Sequence, residues 1–264
     1  MNKILKLNDY KNNKDLAIEI INLFSNKYEY IIIKNNLINE DNLEDIMDYY
    51  NKLNILIGDV KLVDKNKYAD ENQDDYWVDV VYNINNKDLN EIPPWKSNEQ
   101  LLLHTDNTLT NNLNFGNITE LVCLKPCDYS GETIIVSNNK IIEIVKYLDK
   151  INNSNLYDDL LKTEIYHKSV KKNICIKIED HYQFNFNIMQ ILKSKFNNNN
   201  SLIIAKEFSK ILENIVKSSL VNIIKLEKGD ALLLNDTIVM HGRKYVFGDR
   251  LCKKCTININ NNLS

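Results

Sequence analysis

His104-Thr105-Asp106 and, far downstream, His241-Gly242-Arg243 are the parts of this sequence best suited to chemistry. In an extended strand, residues i and i+2 point to the same side, so His104 and Asp106 can offer an imidazole and a carboxylate to one metal ion. His241, arriving from a distant strand, would complete the set. Two histidines and a carboxylate on one face of an octahedron leave three adjacent positions open, an arrangement in which ferrous iron accepts a chelating co-substrate and O2. The chain has four histidines, and a histidine two residues before an aspartate arises readily from composition, so the triplet takes its weight from the text around it. His167 and His181 have no partner at such a spacing and are assigned no chemistry.

The elements that must position these groups are legible in outline. Residues 15–24 and 41–53 have helical periodicity, the second with Leu43, Ile46, Met47, Tyr50 and Leu53 on one face, and residues 30–33 read as a short buried strand. From Val78 the text turns strand-rich, with strands expected over 78–82, 100–105, 121–125, 133–136, 174–178, 183–187, 231–234, 238–241 and 251–259. Ser137 is placed to cap a helix through Ile141, Ile144, Val145 and Leu148. Another helix is expected over 203–220. Glycine and proline are scarce, at 6 and 3, and asparagine takes over the turn punctuation because it tolerates left-handed backbone. The asparagine-rich stretch 193–200 reads as a mobile loop. Many short strands with helices outside predict a mainly β fold, a jelly roll of the cupin-like kind.

A chain of 264 residues is long enough to bury one substantial core, and one domain is expected, with an α/β portion over about 1–90 and the jelly-roll core over about 91–264. Net charge is −3, which provides no basic footprint for nucleic acid and leaves a small molecule as the expected partner. There is no apolar run of about 18 residues and no signal-peptide stretch at the N-terminus, so no membrane partner and a cytoplasmic location are expected. Five cysteines, an odd number without a secretion signal, argue for reduced thiols. Cys123 and Cys127 could be combined with Cys252 and Cys255 into a zinc site, but only the second pair has the usual two-residue gap and both sit in strand-like text. Buried thiols are the preferred reading.

Four segments occur in one order: 100–107, with Gln100, His104, Asp106 and Asn107; 129–136, with Gly131 and Thr133; 228–236, with Gly229, Asp230 and Asp236; and 241–250, with His241, Arg243 and Arg250. Together they resemble the Fe(II)/2-oxoglutarate-dependent oxygenases of the taurine dioxygenase, γ-butyrobetaine hydroxylase and clavaminate synthase-like superfamily, from about Tyr30 onward. The resemblance implies a double-stranded β-helix, Fe(II) held by His104, Asp106 and His241, and 2-oxoglutarate and O2 as co-substrates. Arg250 matches the family's arginine for the distal carboxylate of 2-oxoglutarate, and Thr133 a threonine that supports it. A guanidinium can grip a carboxylate with two parallel hydrogen bonds, and a neighbouring hydroxyl adds a third.

The match has a departure. Taurine dioxygenase-like members carry a second arginine four residues after the first, where this chain has Lys254. Sharing a strand face with Arg250 and Cys252, Lys254 could receive the C1 carboxylate of 2-oxoglutarate or an anionic group of the substrate. Arg243 is a candidate for a substrate carboxylate or for an ion pair near the mouth, and Gln100 and Asn107 are candidate substrate contacts. Trp95 is read as a lid or packing aromatic. Because the aspartate is present, where related halogenases have a small residue, the resemblance implies oxidation of an unactivated C–H bond, by hydroxylation or desaturation. Succinate and CO2 are the expected by-products. Cations near the site point to a small anionic or zwitterionic substrate, an amino acid or its derivative, free or carrier-protein-tethered. Its identity is expected to rest on loops 107–117, 67–79 and 93–98. The alternatives are a metal-dependent cupin-like isomerase or hydrolase, which has no need of Arg250 and Thr133, and a non-catalytic jelly-roll binding protein.

Overall fold

The computed structural model describes residues 1–36, 38, 42–62, 76–82, 96–109 and 117–259. Its strands are β1 (Asn2–Lys6), β2 (Tyr30–Lys34), β3 (Gly58–Val60), β4 (Val78–Tyr82), β5 (Leu101–His104), β6 (Ile118–Lys125), β7 (Tyr129–Ser130), β8 (Thr133–Ser137), β9 (Glu164–His167), β10 (Val170–Asn173), β11 (Cys175–Ile178), β12 (His181–Phe184), β13 (Asn222–Ile224), β14 (Ala231–Asn235), β15 (Val239–Arg243), β16 (Val246–Phe247) and β17 (Arg250–Ile259). The helices are α1 (Asn13–Ser25), α2 (Leu43–Ile57), α3 (Asn138–Asn152), α4 (Leu156–Lys162), α5 (Ile188–Leu192) and α6 (Asn199–Val216). None is long and apolar enough to cross a membrane.

Two sheets carry the architecture. A seven-stranded sheet runs β1-β2-β14-β6-β17-β3, with β4 also paired to β17, and a four-stranded sheet runs β13-β8-β15-β5. Strand alternation then sorts the side chains into layers. Tyr30 and Ile32 of β2, Leu232 and Leu234 of β14, Cys123 of β6 and Cys252 of β17 cluster with Ile135 of β8 and Val239 of β15, so these faces meet between the sheets. The opposite face of the large sheet, with Ile31, Ile33, Val122, Leu233 and Ile257, is covered by α1 and α2. That of the small sheet, with Ile134, Val136 and Met240, lies under α3, α4 and α6. The expectation of a mainly β fold with flanking helices agrees with this arrangement.

Asparagines start helices here as well as making turns. Asn12, Asn42 and Asn198 each accept a backbone N–H from the first turn, at α1, α2 and α6, which satisfies donors a helix start leaves open. The expected loop over 193–200 is shorter by two residues, 193–198, because Asn198 is a cap, and α6 starts and ends about one turn earlier than the periodicity over 203–220 suggested. Ser137 does precede α3, but its hydroxyl makes no capping bond.

Candidate metal centre

The two sheet strands β5 and β15 pair antiparallel with His241 directly opposite His104, and their ring centroids are 4.6 Å apart. Gly242 permits that approach: a Cβ there would lie 2.6 Å from the Leu101 carbonyl oxygen. The ladder shifts register between His241 and Arg243, a local bulge of the kind that re-aims side chains. On the other side, β5 stops at His104. Thr105 leaves the ladder, giving its N–H to Phe186 O at 2.9 Å and its hydroxyl to Phe184 O at 3.1 Å, and Asp106 opens a 3-10 turn, Asp106–Leu109. The expected strand over 100–105 is thus shorter, and Asp106 reaches the histidines from a turn rather than by strand alternation.

Within the described residues, His104, Asp106 and His241 form a group of potential metal ligands whose donor atoms all lie within 4.8 Å of one another. His104 Nε2 is 3.7 Å from Asp106 Oδ1, and His241 Nε2 is 3.4 Å from Asp106 Oδ2. Adjacent ligands about 2.1 Å from a common octahedral metal would be about 3 Å apart, so a small contraction would seat an ion. The remote nitrogen of His104 is held as a metal-binding histidine requires. His104 Nδ1 lies 2.8 Å from Leu102 O, a contact that makes Nδ1 the donor and leaves Nε2 with a lone pair. His241 Nδ1 lies 3.5 Å from the Asp236 carboxylate.

Asp236 and Thr119 received no role from the sequence. Asp236 sits in the β14–β15 turn, 3 % exposed, and its two oxygens lie 3.3 and 3.1 Å from the Asp106 N–H. It therefore anchors the backbone of Asp106 and sets a negative charge beside His241. Thr119 donates its hydroxyl to Asp106 Oδ2 at 3.2 Å. The signal for both lay in strand parity, Thr119 on the inner face of β6 and Asp236 closing the strand that leads to His241.

Charge at the centre is compact. Lys254 Nζ is 2.7 Å from Asp106 Oδ1, so the lysine that replaces the expected arginine engages the carboxylate of the metal group. Burial pushes the Asp106 carboxyl up, but Lys254, His241 and His104 outweigh it and hold it well below the usual range. Burial pulls His241 down, and Asp106 and Asp236 overcome that, raising it to about 9. A metal ion entering here would displace a proton from His241. His167, by contrast, is a core histidine, lowered to about 4 first by burial.

Thr133, Arg250, Cys123, Cys127 and Cys252 line a pocket whose walls include none of His104, Asp106 and His241. Arg250 is 6 % exposed, and its Nη1 is buried without a hydrogen-bond partner among the described residues. An unsatisfied buried guanidinium nitrogen in the wall of a pocket fits an anionic ligand. Arg243 is otherwise engaged: its Nη2 donates to the carbonyls of Ser97 at 2.6 Å and Glu99 at 2.8 Å, tying down the segment that leads into β5. Gln100 is half-buried just before β5. The Asn107 side chain, Trp95, most of loops 107–117 and 67–79, and half of loop 93–98 lie outside the described residues. The cysteines combined above into a possible zinc site are all free and buried.

No family model matches this sequence, and no curated protein matches it. Solved structures do. Asparagine oxygenase aligns with a TM-score of 0.69 at 10% identity, over 93% of this chain and 78% of its own, and has also been solved with Fe(II), 2S,3S-3-hydroxyasparagine and succinate. The non-haem iron oxygenase OrfP, in complex with Fe and α-ketoglutaric acid, aligns at 0.61 and 13% identity, over 94% of this chain and 80% of that one. A taurine dioxygenase from Burkholderia xenovorans aligns at 0.57 and 12% identity, over 95% and 84%. The chain has the fold of these oxygenases, with a His-Asp-His group among its described residues.

Proposed function

We propose that this chain, as a single domain over 1–264 with a double-stranded β-helix core, is an Fe(II)- and 2-oxoglutarate-dependent oxygenase. It oxidises an unactivated C–H bond of a small amino acid or derivative, by hydroxylation or desaturation, and converts 2-oxoglutarate to succinate and CO2. The observation that carries the reading is the convergence of His104, Asp106 and His241 from two paired strands and a turn, with Asp106 3.7 and 3.4 Å from the two imidazoles.

His104 and His241 would hold the metal through Nε2, and Asp106 through a carboxylate oxygen, leaving the opposite face open. When bound, ferrous iron with 2-oxoglutarate and O2 supplies the oxidant, while the protein supplies position and charge. Arg250 would take the distal carboxylate with paired N–H donors, and the Thr133 hydroxyl would add a third. Arg250, Cys252 and Lys254 project from one face of β17, and the four residues from Arg250 to Lys254 span about 13 Å, so this strand links the anion pocket to the metal group. Lys254 offsets the charge of Asp106, and Asp236 and Thr119 orient it. That asparagine oxygenase and OrfP have been solved with hydroxylated asparagine and arginine supports an amino-acid substrate.

The test is succinate formation from 2-oxoglutarate with Fe(II), in the wild type and in Asp106→Ala, alongside the metal content of each. We expect turnover in the wild type and a background rate with loss of bound metal in the variant. Equal turnover in the two would sink the reading.

A further inference from the structure

The Arg250 pocket holds more sulfur than an anion site needs. Cys123, Cys127 and Cys252 all line it, and Cys123 and Cys252 are direct partners across β6 and β17. The backbone of Cys123 is committed to the other side: its N–H donates to Asp230 O at 2.9 Å, and its carbonyl accepts from Gly229 N–H at 2.7 Å. The Cys123–Cys252 rung is therefore a non-hydrogen-bonded position of the antiparallel ladder. Such partners have Cα atoms about 4.5 Å apart, at the short end of the disulfide range of about 4.4–6.8 Å. Both side chains point to the inner face. The register shift between Leu251 and Cys252 loosens the ladder at this rung.

The two sulfurs already divide their roles. Cys123 Sγ donates to Leu226 O at 3.8 Å. The neighbouring Cys123 lowers the Cys252 thiol against the opposing effect of burial; Arg250 and Arg243 add positive charge, and the result is about 7. Cys123 is pushed up, first by its Cys252 neighbour and then by burial. Cys127 is engaged elsewhere, with its Sγ 2.7 Å from Ser130 O.

We propose that Cys123 and Cys252 are an oxidisable dithiol in the wall of the Arg250 pocket, converted to a disulfide by hydrogen peroxide. The Cys252 sulfur attacks one peroxide oxygen, the O–O bond breaks, and the departing hydroxide takes up the proton lost by Cys252 and leaves as water. The Cys123 sulfur then attacks the sulfenic sulfur of Cys252, and the hydroxyl leaves with the Cys123 proton as a second water. Two thiols lose two electrons and two protons, and one peroxide becomes two waters. A ligand in the pocket covers the pair. That last consequence rests on the 2-oxoglutarate reading of Arg250.

The experiment treats the full-length, metal-free protein with hydrogen peroxide and follows titratable thiols and a non-reducing peptide map. We expect two thiols to disappear together, a linked Cys123–Cys252 peptide, and full recovery with dithiothreitol. Cys127→Ser should keep the crosslink, whereas Cys123→Ser and Cys252→Ser should each lose it. Over-oxidation of one sulfur without a crosslink, or a link through Cys127, would overturn the proposal, and either result leaves the oxygenase reading intact. In a second arm, 2-oxoglutarate with Mn(II) should slow crosslinking several-fold. A crosslink that forms at the same rate with and without them would overturn the covering of the pair and count against Arg250 as the 2-oxoglutarate anchor, with the dithiol itself retained.

Discussion

Asp236 shows how much of this site depends on a residue that would not itself bind the metal. Its carboxylate faces His241 Nδ1 at 3.5 Å and receives the Asp106 N–H, so its loss removes the charge beside His241 and the anchor of the Asp106 backbone together. Outer partners of this kind are worth about 10–100-fold in metal affinity. Asp236→Ala should therefore weaken metal binding by about that factor in a metal titration, with the thermal unfolding curve checking that the chain remains folded. Unchanged affinity would show that Leu102 and the ladder alone orient the group. Arg250 invites a different measurement, because its buried Nη1 has no hydrogen-bond partner among the described residues to lose. Replacing a charged donor to a carboxylate costs about 1.5–3 kcal/mol, so Arg250→Ala should raise the KM for 2-oxoglutarate roughly tenfold or more. An unchanged KM would remove Arg250 from the co-substrate site.

The β5–β15 pair is the element that brings the two histidines together, and its weak point is Gly242. A Cβ at this position meets the Leu101 carbonyl oxygen at 2.6 Å, and a backbone atom cannot swing aside as a flexible side chain can. Gly242→Ala must push β15 away from β5, at a cost of about 1–3 kcal/mol, as forced overpacking does. The His104–His241 rung would be displaced with it. We expect the variant to melt at lower temperature and to bind metal less tightly in the same sample. Loss of stability with intact metal affinity would mean that the rung is not what sets the ligand spacing.

For the whole molecule, pH sensitivity should come from the far side of the large sheet. Glu120 is fully buried there, between Asn54 of α2 and Cys255 of β17, both of which donate to it. Burial raises its carboxyl to about 7 from an ordinary 4.5, against those hydrogen bonds. The folded state thus binds the proton more tightly than the unfolded chain does. The contribution is complete below about pH 4.5 and is lost as pH rises to about 7, a change of about 3 kcal/mol. Glu120→Gln should remove this slope. Urea unfolding at pH 5 and pH 8 checks it: the wild type should lose more stability on going to pH 8 than the variant does, and equal losses would show that Glu120 is not the titrating group.

What the sequence determined by itself is the chemistry carried by local pattern. The continuous apolar runs of β2 and β14, the helical faces of α1 and α2, and the imidazole-carboxylate spacing of His104 and Asp106 are short-range properties, readable because each lies within one local window of the chain. Even the asparagine cap at Asn198 was present in the text, though composition suggested a loop there. The tertiary structure alone decided which residues meet. Lys254 lies on Asp106, Arg243 is committed to the carbonyls of Ser97 and Glu99, Asp236 stands behind His241, and Cys123 faces Cys252. Each of these contacts depends on the register of strands far apart in the chain. A one-residue slip in pairing turns every side chain of a strand to the other face, so register is set by the packing of both sheets and their helices at once, and no local window contains it.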